Sequence, residues 1–70
     1  MTGTVSVTVN GEQRDILAGT SVAQVITLVT GQDKGIAVAV NGEVLPRRHW
    51  TATLLADRDQ VEVVTAVQGG

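Results

Sequence analysis

From Thr4 to Asn10, polar and apolar residues alternate strictly, with Val5, Val7 and Val9 at every second position. A period of two predicts a strand with one buried face. Asn10-Gly11 follows, the dipeptide favoured by two-residue hairpins because both central residues of a type I′ turn need a positive φ. Glu12 to Leu17 then returns as a second, more polar strand that brings Ile16 to the same core. After Ala18-Gly19-Thr20-Ser21 the period changes. Val22, Val25, Ile26 and Val29 fall at i, i+3, i+4 and i+7, one stripe of a helix. Thr20 or Ser21 can cap its start, Ser21 and Gln24 have capping-box spacing, and Gly31 is placed to end it. The run is rich in β-branched residues, mediocre helix formers, so packing against a sheet must hold it.

Gly35 to Asn41 is a strand of another character: Ile36, Val38 and Val40 share one face, and Ala37 and Ala39 the other. With both faces apolar, it is either central or covered by a partner on its second face. A second Asn-Gly pair, Asn41-Gly42, leads into Glu43-Val44-Leu45, which Pro46 closes because it cannot donate to a ladder. Arg47-Arg48-His49-Trp50 reads as a compact loop, with Trp50 a half-buried plug over the end of the core. Its arginines are either solubilising charges or contacts to an anionic partner. Thr53-Leu54-Leu55 adds apolar residues, and Asp57-Arg58-Asp59 makes a tight turn. Gln60 to Ala66 is the last strand, with Val61 and Val63 inward and Glu62, Val64 and Ala66 on the opposite face. The order of elements predicts an α+β domain of β-grasp type over residues 1–70, a mixed sheet of four to five strands crossed by one helix. The last strand is expected to be central, with residues 66–70 as a C-terminal tail.

Composition narrows the function classes. Seventy residues lie near the lower limit for a single apolar core, and with no cysteine there is neither a disulfide nor a thiolate. Trp50 is the only aromatic residue, which argues against base-stacking platforms. A net charge of −2 argues against a general nucleic-acid or anionic-membrane partner. With one histidine and no cysteine, metal ligation lacks donors. The valine-rich runs are short and interrupted, so neither a membrane span nor a signal peptide is read, and a cytoplasmic monomer is the expectation. No acid–base pair or activated nucleophile stands out, because Asp57 and Asp59 sit at turn spacing. The chain reads as something acted upon.

The sequence finishes Val67-Gln68-Gly69-Gly70. Two glycines without Cβ atoms make a thread thin enough for a cleft that excludes side chains. The α-carboxylate of Gly70 is an anion at neutral pH and a poor electrophile, so a partner would have to activate it, most simply as an acyl-adenylate made from ATP.

End to end, the chain resembles the ThiS family, β-grasp sulfur carriers of thiamin biosynthesis. The residues that carry the resemblance are Gly35-Ile36-Ala37-Val38-Ala39-Val40-Asn41-Gly42-Glu43-Val44, Pro46-Arg47, Trp50 and Asp57-Arg58-Asp59. Val61-Glu62-Val63-Val64 and Thr65-Ala66-Val67-Gln68-Gly69-Gly70 complete it. Arg58 departs from the pattern, standing where the family usually has a glycine, and is expected to alter the local turn geometry. The resemblance implies that an E1-like, ThiF-type adenylyltransferase adenylates Gly70 with ATP and magnesium. Sulfur from a cysteine desulfurase or similar donor then displaces AMP to give a 1-thioglycine terminus, which supplies a ThiG-type thiazole synthase. On this reading Gly70 carries the sulfur, and Gly69, Gln68 and Val67 thread into the enzymes. No cofactor is bound by the chain itself. Ordering each tail residue costs roughly 1–2 kcal/mol, to be offset by docking contacts expected at Val64, Ala66 and Glu62, with Ala37 and Ala39 alongside.

Three alternatives stand beside it. The small subunit of molybdopterin synthase, or a carrier for a cysteine pathway, would share the fold and the tail. A protein modifier joined through Gly70 would also share them, although Lys34 is the only lysine on which a chain could be built. A plain β-grasp interaction module would leave the tail idle.

Overall fold

Both Asn-Gly pairs turn the chain as their chemistry requires. Asn10 and Gly11 have φ of 51° and 82°, and Asn41 and Gly42 have 52° and 85°, left-handed pairs that match the twist of the strands they join. The computed structural model of the chain describes residues 3–31 and 34–65. It contains strands β1 (Thr4–Val9), β2 (Glu12–Leu17), β3 (Ile36–Val40), β4 (Glu43–Leu45) and β5 (Gln60–Thr65), with helix α1 (Val22–Val29) between β2 and β3. The strands form one mixed sheet in the order β2-β1-β5-β3-β4. Only β1 and β5 run parallel, with Thr8 opposite Gln60 and Val9 opposite Val61; the other three pairings are antiparallel. This is the α+β, β-grasp architecture expected from the pattern, at the upper strand number, with β5 central.

Helix α1 exists because its ends are satisfied and its stripe is buried. Ser21 Oγ accepts from Gln24 N at 3.2 Å and Ser21 N donates to Gln24 Oε1 at 2.9 Å, the reciprocal capping box. Val22 N donates to Thr53 O and Ala23 N to Trp50 O, so all four amides orphaned at a helix start have acceptors. At the other end Thr30 N and Gly31 N close back on Ile26 O and Thr27 O. Val22, Val25 and Ile26 are buried against Val7, Val9, Ile16, Val38, Trp50, Leu55 and Val61. Each such aliphatic side chain contributes about 1.5–3 kcal/mol on burial, which outweighs the weak helix propensity of the valines.

Two expectations for the second half are corrected. Trp50 is 6% exposed, a full core member rather than a half-buried plug, and Arg47–His49 is a 3-10 turn rather than a loop. The indole can go this deep because its Nε1 donates to Leu45 O at 2.9 Å, leaving no buried donor unpaired. Of the two leucines that follow, Leu55 is buried whereas Leu54 is 59% exposed.

The turn Ala56–Asp59 closes with Asp59 N donating to Ala56 O at 3.1 Å. Arg58 has φ of 73° while Asp57 does not have a positive φ, the signature of a type II turn, whose third residue is normally glycine. The arginine therefore adopts, under strain, the left-handed conformation normally left to glycine. The turn is over-determined by its neighbours: Ser6 N donates to Asp57 Oδ1 at 2.8 Å, Arg58 N to Ser6 O at 2.6 Å and Ala56 N to Asp59 Oδ2 at 2.7 Å. Relief of a left-handed side chain is worth about 1–2 kcal/mol, against about 0.5–1 kcal/mol for the extra freedom of an unfolded glycine. Arg58→Gly is therefore expected to stabilise the fold by roughly 0.5–1 kcal/mol, read as a higher denaturant midpoint with unchanged slope.

Asn10 supplies a second test. Its side-chain amide donates from Nδ2 to Val63 O at 3.2 Å and accepts at Oδ1 from Val63 N at 2.8 Å. Asn10→Gly keeps the left-handed turn but removes both bonds. At about 1 kcal/mol per hydrogen bond, a loss of roughly 1–2 kcal/mol is expected, together with faster amide exchange at Val63. Unchanged exchange there would show that the amide does not hold β5.

Candidate functional site

The tail is rooted in β5, so the site begins with what fixes that strand. β1 runs alongside β5 only as far as Val9 opposite Val61, after which the hairpin carries the chain away. The Asn10 amide then continues the ladder, bonding both backbone groups of Val63 as a peptide unit would. On the other flank, Asn41 Oδ1 accepts from Gln60 N at 2.9 Å, Asn41 N donates to Gln60 O at 2.7 Å, and Asn41 Nδ2 donates to Asp59 Oδ1 at 2.9 Å. Reading from sequence assigned both asparagines to turns alone and missed these bonds. Their spacing relative to Gly11 and Gly42 gives no sign of a partner 53 residues away for Asn10, or 18 and 19 residues away for Asn41.

One face of the sheet is sealed by α1 and the other is open. Val64 lies opposite Ala37, Glu62 opposite Ala39, and Ala39 opposite Val44. Directly opposed residues share a face, so Glu62–Ala39–Val44 and Val64–Ala37 form two rows across β5, β3 and β4 on the open side. Val64 is 59% and Val44 77% exposed; Ala37 and Glu62 are exposed and Ala39 half-buried. The structure therefore places Val64 and Glu62 on one open surface, together with Ala37 and Ala39, as the alternation predicted. Val44 completes the patch and was missed. Its signal was present in the alternation of Glu43-Val44-Leu45, with Leu45 turned towards the core. Ala66, Val67, Gln68, Gly69 and Gly70, the remaining predicted site residues, lie outside the described residues.

The rest of the open face is polar. Ser6, Thr8, Gln13, Asp57, Arg58 and Gln60 line a shallow depression, in which Gln13 Nε2 donates to Ser6 Oγ at 2.7 Å. Both acids of the turn have their oxygens engaged with backbone amides, Asp57 with Ser6 and Asp59 with Ala56. Their positions are those of turn braces, not of a general acid and its partner. Among the described residues, no three His, Cys, Asp or Glu side chains gather as a metal ion requires, and no helix is long and apolar enough to cross a membrane.

The tail leaves the sheet at a defined end. Ile36 lies opposite Thr65 at the close of β5, and Val38 lies opposite Leu45. Pro46 after Leu45 is still extended, so the chain runs on towards the end of the sheet at which Ile36 and Thr65 lie before the Arg47–His49 turn begins.

Comparison with known proteins agrees with this geometry. The family model described as "ThiS family" matches residues 7–70. The uncharacterized protein ycf40 of Porphyra purpurea is 30% identical over 66 residues, covering 94% of this chain and 93% of that protein. The sulfur carrier protein ThiS of Escherichia coli (strain K12) is 26% identical over 61 residues, covering 87% and 92%. The crystal structure of the thiamine biosynthesis protein ThiS from Geobacter metallireducens superposes with a TM-score of 0.81 at 32% identity, covering 94% of this chain and all of that one. On the match of fold, of sequence and of nearly the whole length, the chain belongs to the ThiS family.

Proposed function

We propose that this chain is a sulfur carrier of thiamin biosynthesis, whose Gly70 is adenylated, converted to a thiocarboxylate and used as the sulfur source for thiazole formation. The observation that carries the reading is the family match running through Gly70, over a chain whose central strand ends five residues before that glycine. The similarity to the Escherichia coli carrier and to the Geobacter metallireducens protein supports it.

The chemistry follows from what the chain has and lacks. A carboxylate resists nucleophiles, and an adenylate gives its carbon a good leaving group. Attack by a donor persulfide on that carbon expels AMP and gives an acyl disulfide, whose S–S bond a second thiol cleaves to leave a thiocarboxylate, a soft nucleophile that stays attached instead of diffusing as sulfide. The chain has no cysteine, so no internal thiol competes for the activated carbon. The carrier is a cosubstrate: ATP and magnesium belong to a ThiF-type adenylyltransferase, and the acceptor is a ThiG-type thiazole synthase.

The expected outcome is direct. After incubation with ATP, magnesium, the host adenylyltransferase and a sulfur donor, intact-mass spectrometry should show a gain equal to one oxygen replaced by sulfur. A chain lacking Gly70 should show none. Absence of both this gain and an adenylate on the full chain would return the protein to a binding module.

Docking is assigned to the open-face patch of Val64, Ala37, Ala39 and Val44, flanked by Glu62, and to Ala66 on the alternation of the sequence alone. The chain folds without this patch being covered, so a charge there should spare stability and cost association. Val64→Asp is expected to raise the KM for the carrier in adenylation by about tenfold, the equivalent of roughly 1.4 kcal/mol, with the denaturation midpoint near wild type. Unchanged kinetics would place the docking surface elsewhere.

A further inference from the structure

Charge on this protein is unevenly divided between its ends, although Asp33 precedes Lys34 and Arg58 stands between Asp57 and Asp59. The chain has five cationic side chains against seven acidic ones, yet three of the five cations, Lys34, Arg47 and Arg48, lie where the tail leaves the sheet. Lys34 is two residues before Ile36, which is opposite Thr65; Arg47 is two residues beyond Leu45, which is opposite Val38. All three are exposed. Arg47 is held over the Trp50 ring at 5.8 Å from its centroid, so this part of the rim is fixed by the core. Lys34 and Arg48 make no ion pair among the described residues.

The opposite end is acidic. Asp57 and Asp59 form the turn that precedes β5, Glu43 lies opposite Val40 at the far end of β3, and Asp15 lies opposite Ser6. A molecule of net negative charge thus presents a positive end around the root of its tail. A partner of negative potential would draw it in tail first.

We propose that Lys34, Arg47 and Arg48 form a cationic rim that docks on an acidic protein surface around the mouth of the site where the adenylating enzyme receives the tail. This rests on the carrier reading above. Length decides between that surface and the nucleotide phosphates as the rim's counterpart. Five residues separate Thr65 from the chain's last atom, and at full extension they span about 17 Å. With Gly70 at the nucleotide, the rim stands well beyond the reach of a lysine or arginine side chain from the phosphates. It meets the protein wall at the entrance.

The test is steady-state ATP–pyrophosphate exchange by the host adenylyltransferase, with the full-length carrier varied at low and at high salt. Lys34→Glu and Arg48→Glu are each expected to lower kcat/KM for the carrier about tenfold at low salt through KM. The kcat should stay near wild type, and the gap should close as salt screens the interaction. Arg48→Lys, which keeps the charge, should behave as wild type. Arg58→Glu makes the same change of net charge at the opposite, acidic end, on a side chain 92% exposed, and should also leave kcat/KM near wild type. The rim is overturned if its variants match Arg58→Glu, or if their loss persists undiminished at high salt, which would mark a structural effect. If the wild-type chain is not adenylated at all, the carrier reading falls and the rim with it. Normal wild-type adenylation with unaffected rim variants overturns the rim alone.

Discussion

The structure depends on keeping β5 paired on both flanks although neither neighbour runs its full length. β1 departs after Val9 and β3 gives way to its hairpin after Val40. Left alone, the backbone groups of Gln60 and Val63 on those flanks would have only water for a partner, and each protein hydrogen bond that replaces it is worth about 1 kcal/mol. Two asparagine amides fill the gaps, Asn10 at Val63 and Asn41 at Gln60. Each does so from the first position of its own type I′ turn, so one residue both bends a hairpin and stitches the central strand. A pull on the tail is therefore resisted by ladders on both sides.

The two faces of the sheet divide the remaining work. The helix-covered face holds all the tightly packed side chains, Val7, Val22, Val25, Ile26, Val38 and Val61 among them. The open face is left to the outside. Its edges are protected against further pairing: β2 carries Glu12, Gln13, Arg14 and Asp15, and β4 is three residues long and stopped by Pro46. Charged and very short edge strands discourage sheet-to-sheet association, which leaves the face of β5, β3 and β4, not an edge, as the surface open to a partner.

The order of elements, the strand faces, both hairpins and the capped helix were legible in the sequence because each is a local pattern: a period, a dipeptide or a spacing of three. The opposition of Val64 and Glu62 to the alanines of β3 followed from the same alternation once β5 was taken as central. What escaped was non-local. No local pattern tells that Trp50 has an acceptor in Leu45 O and can be fully buried, or that an asparagine amide will serve a strand far along the chain. The left-handed backbone of Arg58 escaped for a related reason. A non-glycine residue in a turn normally argues for different geometry, but here bonds from Ser6 to Asp57 and Arg58, and from Ala56 to Asp59, fix the turn regardless of its third residue.

The modest size of the open-face patch has a kinetic consequence. Two valines and two alanines offer far less apolar area than the 1,200–2,000 Å² typical of stable complexes, and alanines in the middle keep the surface shallow. Contacts of this size release quickly. Charges gathered at one end act on the other half of the rate balance, since long-range attraction mainly raises the speed of encounter. If the chain is loaded on one protein and emptied on another, as proposed, that combination serves it: fast, oriented arrival and weak retention. Enlarging the patch with bulky aromatics would tighten each complex while slowing the passage between them. The chain's sole aromatic residue is buried in its core, so none is available to the patch.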